Sequence, residues 1–162
     1  MDAKPEIVVA SEGGRPLPVL SLVCGALLAA AMAIQLVAIA RLPDDYPGLV
    51  PSAVAAITAA CANLVRSPEW RARFLGAAVG VWFTSGWDVP FVLRFDAASV
   101  VHWVILGLIG ASILAGWRDG RLPAGRRTLD LAGVAAVVTA LVIIAIEFGL
   151  LVVLLTIHPL TF

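Results

Sequence analysis

The amino-acid sequence predicts an all-α membrane protein, a polytopic bundle of five helices that cross the bilayer in alternating directions. Its 162 residues are 61% hydrophobic and only 14% charged, whereas soluble domains average about 25% charged residues. The apolar residues are concentrated in long runs, and about 20 apolar residues suffice for a helix to cross the hydrocarbon core. The formal net charge is zero, so the chain lacks the basic surface that binding to nucleic acid requires.

The apolar runs define the elements in order. We expect spans at about 17–40, 49–65, 74–93, 97–117 and 131–157, preceded by a polar cytoplasmic tail at 1–16. Residues 17–162 then form a single transmembrane domain. The first run exceeds the apolar core of a signal peptide, which has about 7–15 residues, so we expect it to persist as a helix. The second span is short and rich in alanine, and the fifth is long enough to tilt.

The basic residues predict how these spans are oriented. Five alternating spans leave only Arg41 and Arg94 on one side of the membrane. The other side receives the remaining nine: Lys4, Arg15, Arg66, Arg71, Arg73, Arg118, Arg121, Arg126 and Arg127. Because Lys and Arg are enriched in cytoplasmic loops, we expect a cytoplasmic N-terminus and an external C-terminus. Together with a composition rich in Ala, Arg and Val, this predicts a multi-pass protein of the bacterial inner membrane.

A single carboxylate stands out in the last span. Glu147 is the only formally charged residue after Asp130 and lies inside the fifth apolar run. A charged side chain at the centre of a membrane helix costs roughly 2.5–3.5 kcal/mol on insertion scales. Such a residue is usually paired, protonated or turned towards a polar cavity, and Glu147 is therefore the first candidate for a functional site.

Three further polar residues are expected near the depth of Glu147. With a rise of about 1.5 Å per residue, Asp88, His102 and Gln35 fall in the outer third of the membrane, on three other spans. Asp88 and His102 belong to neighbouring spans with a short loop, so they are expected to lie within reach of each other and to share a proton. The alternative is that they reach headgroups or water, or that they pair with Arg94.

No metal or cofactor is predicted. The candidate carboxylates and His102 are ligand types that zinc accepts, but a single histidine makes a weak site. An intramembrane haem needs a histidine in a helix core, and His102 and His158 are the only histidines. Cys24 and Cys61 lack zinc-ligand spacing and are expected to be buried small residues. The sequence contains no HExxH, P-loop or GxGxxG motif.

The layout of the chain resembles a known family. A Pro- and Gly-containing turn, ARLPDDYPGLVP, joins the first two spans and includes the short motif PGLVP at Pro47–Pro51, and the last span ends at the tail Ile157-His158-Pro159-Leu160, close to where the family has a Leu-Pro. With the length and the number of spans, this resembles the small membrane subunit of bacterial tripartite tricarboxylate transporters. The resemblance implies a partner to a large polytopic permease, supplied by a periplasmic substrate-binding protein, and it implies no catalytic residue.

Three functions remain open at this point. The first is a small subunit of a multi-subunit membrane complex, with a transporter as the leading example, a role in assembly, and a proton or ion group at Glu147. The second is a small integral-membrane enzyme that acts on a lipid or isoprenoid, with Asp88 or Glu147 as general acid. The third is an accessory subunit of a respiratory or other redox complex. The expected partners are the lipid bilayer and a larger membrane subunit.

Overall fold

The computed structural model describes residues 19–41, 49–84 and 97–157, and nearly all of these are helical. The helices are α1 (Val19–Arg41), α2 (Leu49–Leu64), α3 (Pro68–Thr84), α4 (Ala97–Arg118) and α5 (Gly125–Ile157). The described residues contain no strand, so the predicted all-α class is confirmed. By length and composition, α1, α4 and α5 can each cross a membrane, whereas α2 is a shorter apolar helix of 16 residues.

Two helices begin earlier than the sequence predicts. The bounds of α1, α2 and α4 agree with the predicted spans within two residues, but α3 begins at Pro68 instead of 74 and α5 at Gly125 instead of 131. The prediction followed apolar residues, and both helices begin with polar turns. Proline suits the first turn of a helix, and the backbone N–H of Trp70 donates to Ser67 Oγ at 3.5 Å, which caps α3. The predicted end of the third span and the tail at 1–16 lie outside the described residues.

A tight turn connects α4 to α5. Gly120 has a φ of 62°, which glycine adopts without steric cost, and the N–H of Arg121 donates to the Gly116 carbonyl at 2.8 Å. The next side chain, Leu122, is buried against Gly116. Thr128 lies in the first turn of α5, and its Oγ1 donates to the carbonyl of Pro123, which precedes the helix. The connection between α4 and α5 is thus a short turn with one apolar side chain folded inward.

Helices α1 to α4 pack as a four-helix bundle, and α5 packs on the outside against α3. Helix α2 contacts all three of the others in the bundle. Its side chains Ala55, Ala56, Ala59 and Ala62 have no exposed surface. Such small residues allow backbones to approach closely, which favours helix association in a membrane.

The two cysteines differ in environment. Cys24 of α1 is buried, as predicted, but Cys61 of α2 is exposed, so the prediction of burial was wrong for Cys61. Cys61 lies on the same outward stripe of α2 as Val54 and Ile57, which are also exposed. The prediction relied on the apolar neighbours of Cys61, which do not reveal the side of the helix on which a residue lies.

Glycines bring α3 and α5 into close contact. A Cβ at Gly76 would overlap the backbone of Ala132, and a Cβ at Gly80 would overlap the Ala136 carbonyl oxygen. A step of four residues along α3, from Gly76 to Gly80, moves the contact four residues forward along α5, from Ala132 to Ala136. The two helices therefore run parallel. Gly76 and Gly80 are four residues apart on one face of α3, the spacing that lets two helices approach closely in a membrane. In contrast, a Cβ added at Gly107 of α4 would meet no atom within 4 Å.

The helices of the bundle alternate in direction. Gln35 of α1 bonds to Ser52 of α2, whereas Gly25 lies against Asn63, eleven residues further along α2. One end of the bundle, here called the arginine end, therefore holds the start of α1, the end of α2, the start of α3, the end of α4 and the start of α5. Its described arginines are Arg66, Arg71, Arg73, Arg118, Arg121, Arg126 and Arg127, and Arg41 lies at the opposite end.

Candidate functional site

Arg71 is the largest fully buried side chain in the described part of the chain, with 1% of its surface exposed. Its Nε donates to the Ala62 carbonyl at 3.0 Å, and its Nη2 donates to the Asn63 carbonyl. These carbonyls belong to the last turn of α2, where the helix itself supplies no donors. The guanidinium therefore caps α2, and its positive charge also interacts favourably with the helix dipole.

The charge of Arg71 is retained despite its burial. Burial lowers the pKa of Arg71 from its usual value to about 10, the positive charge of Arg121 acts in the same direction, and Asp119 opposes both. The guanidinium is still protonated at neutral pH. Asp119 also accepts a hydrogen bond from Ser21 Oγ at 2.9 Å, which joins the start of α1 to the end of α4.

Asn63 extends this arrangement to α4. Its Nδ2 lies 3.0 Å from the Ala59 carbonyl and 3.1 Å from Ser112 Oγ, and it donates to both. Arg71, Asn63, Ser112, Asp119 and Ser21 form what is here called the polar cluster. Each of these side chains connects one helix to another, so the arrangement positions helix ends and has a structural role.

Sequence reasoning missed Arg71 as a structural residue. It placed Arg71 in a loop, since the predicted span began at 74. If the helix begins at Pro68, position 71 falls on the same face as Leu75, Ala78 and Trp82, all of which are buried. A helical period of 3.6 residues therefore predicts that Arg71 is buried, but only if the helix is known to begin at Pro68.

The structure places Gln35 and His102 inside the bundle. Gln35 is 1% exposed, and its Nε2 donates to Ser52 Oγ at 3.0 Å. His102 is fully buried, and its ring stacks on Trp82 with 4.5 Å between centroids. Trp82 Nε1 also donates to the backbone carbonyl of His102 at 2.9 Å. Trp82 thus packs α3 against α4, and Gln35 joins α1 to α2.

Glu147 lies at a different level from these residues. The contact of Gly80 with Ala136 sets the register of α3 and α5, and it makes Trp82 level with Val138. Glu147 is nine residues beyond Val138, or about 13 Å further along α5. The sequence predicted one polar layer, but along α5 the carboxylate lies further from the arginine end than the ring contact between Trp82 and His102.

Glu147 occupies an exposed part of α5. This helix packs against α3 through its first half, and further along, in the segment Leu141–Val153, most side chains are exposed. Phe148 is 66% exposed and Leu151 is 52% exposed. Ile144, Glu147, Phe148 and Leu151 share one side of α5, here called the Glu147 face. Among the described residues, the Glu147 carboxylate makes no hydrogen bond and no ion pair.

The remaining candidates are only partly placed. Asp88 and His158 lie outside the described residues, so contact between Asp88 and His102 stays a prediction. Across 19–41, 49–84 and 97–157, no three His, Cys, Asp or Glu side chains are close enough to hold a metal ion together.

Comparison of the chain with models of protein families, with curated proteins and with solved structures gives no match.

Proposed function

We propose that the chain is a small integral-membrane subunit of a larger membrane complex, of the transporter class, and that its Glu147 face binds a helix of a larger partner subunit. The observation that carries the proposal is a carboxylate on an exposed helix face. The layout resemblance to the small subunit of tripartite tricarboxylate transporters supports the transporter class.

The position of Glu147 favours a protein partner. It lies 16 residues beyond Leu131, where the apolar run begins, hence about 24 Å along the helix. A hydrocarbon core is about 30 Å thick, so the carboxylate falls within the apolar layer. Lipid chains offer no hydrogen bond there, and acidic side chains in membrane helices almost always face protein or a water-filled cavity.

The shape of the Glu147 face also suits a helix. Ile144, Glu147, Phe148 and Leu151 have the i, i+3, i+4, i+7 spacing by which one helix contacts another. A partner helix with a hydrogen-bond donor or a cation opposite Glu147 would compensate the carboxylate and cover the apolar side chains around it.

The arginine end is proposed to face the cytoplasm. Seven described arginines gather at this end and Arg41 lies at the other, which fits the enrichment of basic residues in cytoplasmic loops. The Glu147 face then lies in the outer half of the bilayer, at the level where an externally supplied substrate enters a permease.

The test is the mass of the gently solubilised assembly, with and without a bulky residue on the Glu147 face. Leu151 and Leu36 form a matched pair, because they are 52% and 50% exposed on α5 and α1. We expect Leu151→Trp to shift the protein from a large assembly to the free chain, and Leu36→Trp to leave the assembly intact. An assembly that survives Leu151→Trp, or a wild-type chain that migrates alone, would refute the proposal.

Glu147→Gln and Glu147→Leu separate the carboxylate from the apolar contact. Leucine removes every polar atom, so we expect it to weaken the assembly. Glutamine keeps a hydrogen-bond acceptor and loses the charge. The decrease in assembly caused by Glu147→Gln therefore measures how much binding of the partner depends on the negative charge. If both variants assemble like the wild type, Glu147 has no part in the interface.

A further inference from the structure

A groove lies between α3 and the first half of α5, at the arginine end. It has a volume of about 410 Å³. Its polar entrance is formed by Arg73 of α3 and by Arg127 and Asp130 of α5, and its apolar wall includes Leu131, Val134 and Val138 of α5. The groove shares no residue with the Glu147 face, so a ligand can occupy it whether or not that face binds a partner.

The entrance carries a cation that is available to an anion. Arg127 is paired with Glu69. In contrast, Arg73 makes no ion pair among the described residues, and its guanidinium carbon lies 4.8 Å from the centre of the Trp70 ring. Such a cation–π contact holds a guanidinium in place and leaves its N–H groups free to bind a phosphate, for which the planar fork of arginine is well suited.

The wall of the groove fits a hydrocarbon chain. Leu131, Val134 and Val138 have the spacing of a single helix face and extend about 10 Å away from the arginines. Val134 is 66% exposed and Val138 is 54% exposed. A free phosphate ion would use only the entrance, whereas a phospholipid would use the entrance for its headgroup and the wall for an acyl chain. Basic pockets between membrane helices bind anionic lipids in this way.

Asp130 restricts the type of headgroup. Its carboxylate lines the same entrance, and it would repel a second negative charge. It accepts hydrogen bonds, so it favours a headgroup with hydroxyl groups beside the phosphate. We propose that this groove binds an anionic phospholipid with a hydroxyl-bearing headgroup, such as phosphatidylglycerol, with the phosphate at Arg73, the headgroup hydroxyls at Asp130 and an acyl chain along Val134 and Val138.

The test is native mass spectrometry of the full chain, together with any subunits that copurify, after titration with defined lipids. We expect phosphatidylglycerol to bind more tightly than phosphatidylcholine with the same acyl chains. Arg73→Gln should weaken phosphatidylglycerol binding about tenfold, the loss expected for one charge-assisted hydrogen bond. Arg66→Gln is the matched control, because Arg66 is exposed at the same end but does not line the groove.

Two more variants test the wall and the carboxylate. Val134→Trp should block the acyl chain and weaken binding while both arginines remain. Asp130→Asn should reduce the preference for phosphatidylglycerol over phosphatidic acid, which has no headgroup hydroxyls. Equal binding of phosphatidylglycerol and phosphatidylcholine would overturn the proposal. It would also be overturned if Arg73→Gln left phosphatidylglycerol binding unchanged, or if Val134→Trp did. Competition by inorganic phosphate as effective as that by the lipid would overturn it as well. None of these outcomes depends on assembly through the Glu147 face.

Discussion

A buried guanidinium holds the ends of α2 and α3 together. Arg71 donates to two carbonyls at the end of α2, and only residues 65–67 separate the two helices. The same side chain lies near Asp119, which bonds to Ser21. One arginine therefore belongs to a network that involves four helices of the bundle.

Replacement of Arg71 by methionine should destabilise the protein strongly. Methionine keeps much of the volume but removes the donor to the Asn63 carbonyl and leaves the Ala62 carbonyl only its backbone bond from the Val65 N–H at 3.3 Å. Hydrogen bonds from charged groups contribute about 1.5–3 kcal/mol each, so we expect a loss of about 3 kcal/mol in the free energy of unfolding. Chemical denaturation in detergent micelles measures it. Arg66→Met is the control and should have little effect, since Arg66 is exposed; equal losses in both variants would contradict the role assigned to Arg71.

Sequence patterns identified residue types better than they identified residue environments. Cys24 and Cys61 were both expected to be buried because their neighbours are apolar, but only Cys24 is buried. Arg71 was counted only as a positive charge for topology. The helical period counted from Pro68 indicates that position 71 faces inward, but no pattern around it reveals the carbonyls of another helix that bind its guanidinium.

At the scale of the elements, the contact between α3 and α5 depends on two glycines. Gly76 and Gly80 leave the surface of α3 flat, and the backbone of α5 at Ala132 and Ala136 lies against it. The apolar runs predicted both helices, but they did not predict where each begins. Polar turns that extend a helix beyond the apolar layer are indicated by capping residues such as Ser67 and Pro68, not by hydropathy.

Valine at Gly76 should separate α5 from α3. The added side chain would collide with the backbone of Ala132, which cannot move aside as a flexible side chain could. Overpacking costs typically about 1–3 kcal/mol, and here we expect at least that, together with a loss of disulfide cross-linking between cysteines introduced on α3 and α5. Gly107→Val introduces the same change at a position with open space around it. If Gly107→Val disrupts the cross-link as much as Gly76→Val does, the close approach is not what holds α5.

At the scale of the whole molecule, the arginine end gives the protein a polarity that can be measured. In a background with Cys24→Ala and Cys61→Ala, single cysteines are introduced at Ala40 and Ala124, which are exposed at opposite ends. We expect a membrane-impermeant maleimide to label position 40 in intact cells and position 124 only after the membrane is permeabilised. The opposite pattern would show that the bundle is inverted in the membrane.

The sequence also could not predict the relative levels of the polar residues. Depths counted from separate span boundaries placed Gln35, His102 and Glu147 in one layer. The observed register between α3 and α5 moves Glu147 about 13 Å beyond the level of Trp82. The register depends on which small residues of the two helices are in contact. The chain has many glycines and alanines, and a single sequence does not reveal which of them form the contact.

The short α2 has a consequence for the surrounding lipid. Its outward stripe runs from Val50 to Leu64, about 21 Å along the helix, whereas the apolar run of α5 from Leu131 to Ile157 covers about 40 Å. A hydrocarbon core of about 30 Å is thicker than the length of the outward stripe of α2 and thinner than the length of the apolar run of α5. Membranes accommodate such mismatch by local thinning or by helix tilt. If all five helices cross the bilayer as the sequence predicts, lipid tails beside α2 would be compressed and those beside α5 stretched, and the protein would impose a gradient of bilayer thickness across its own width.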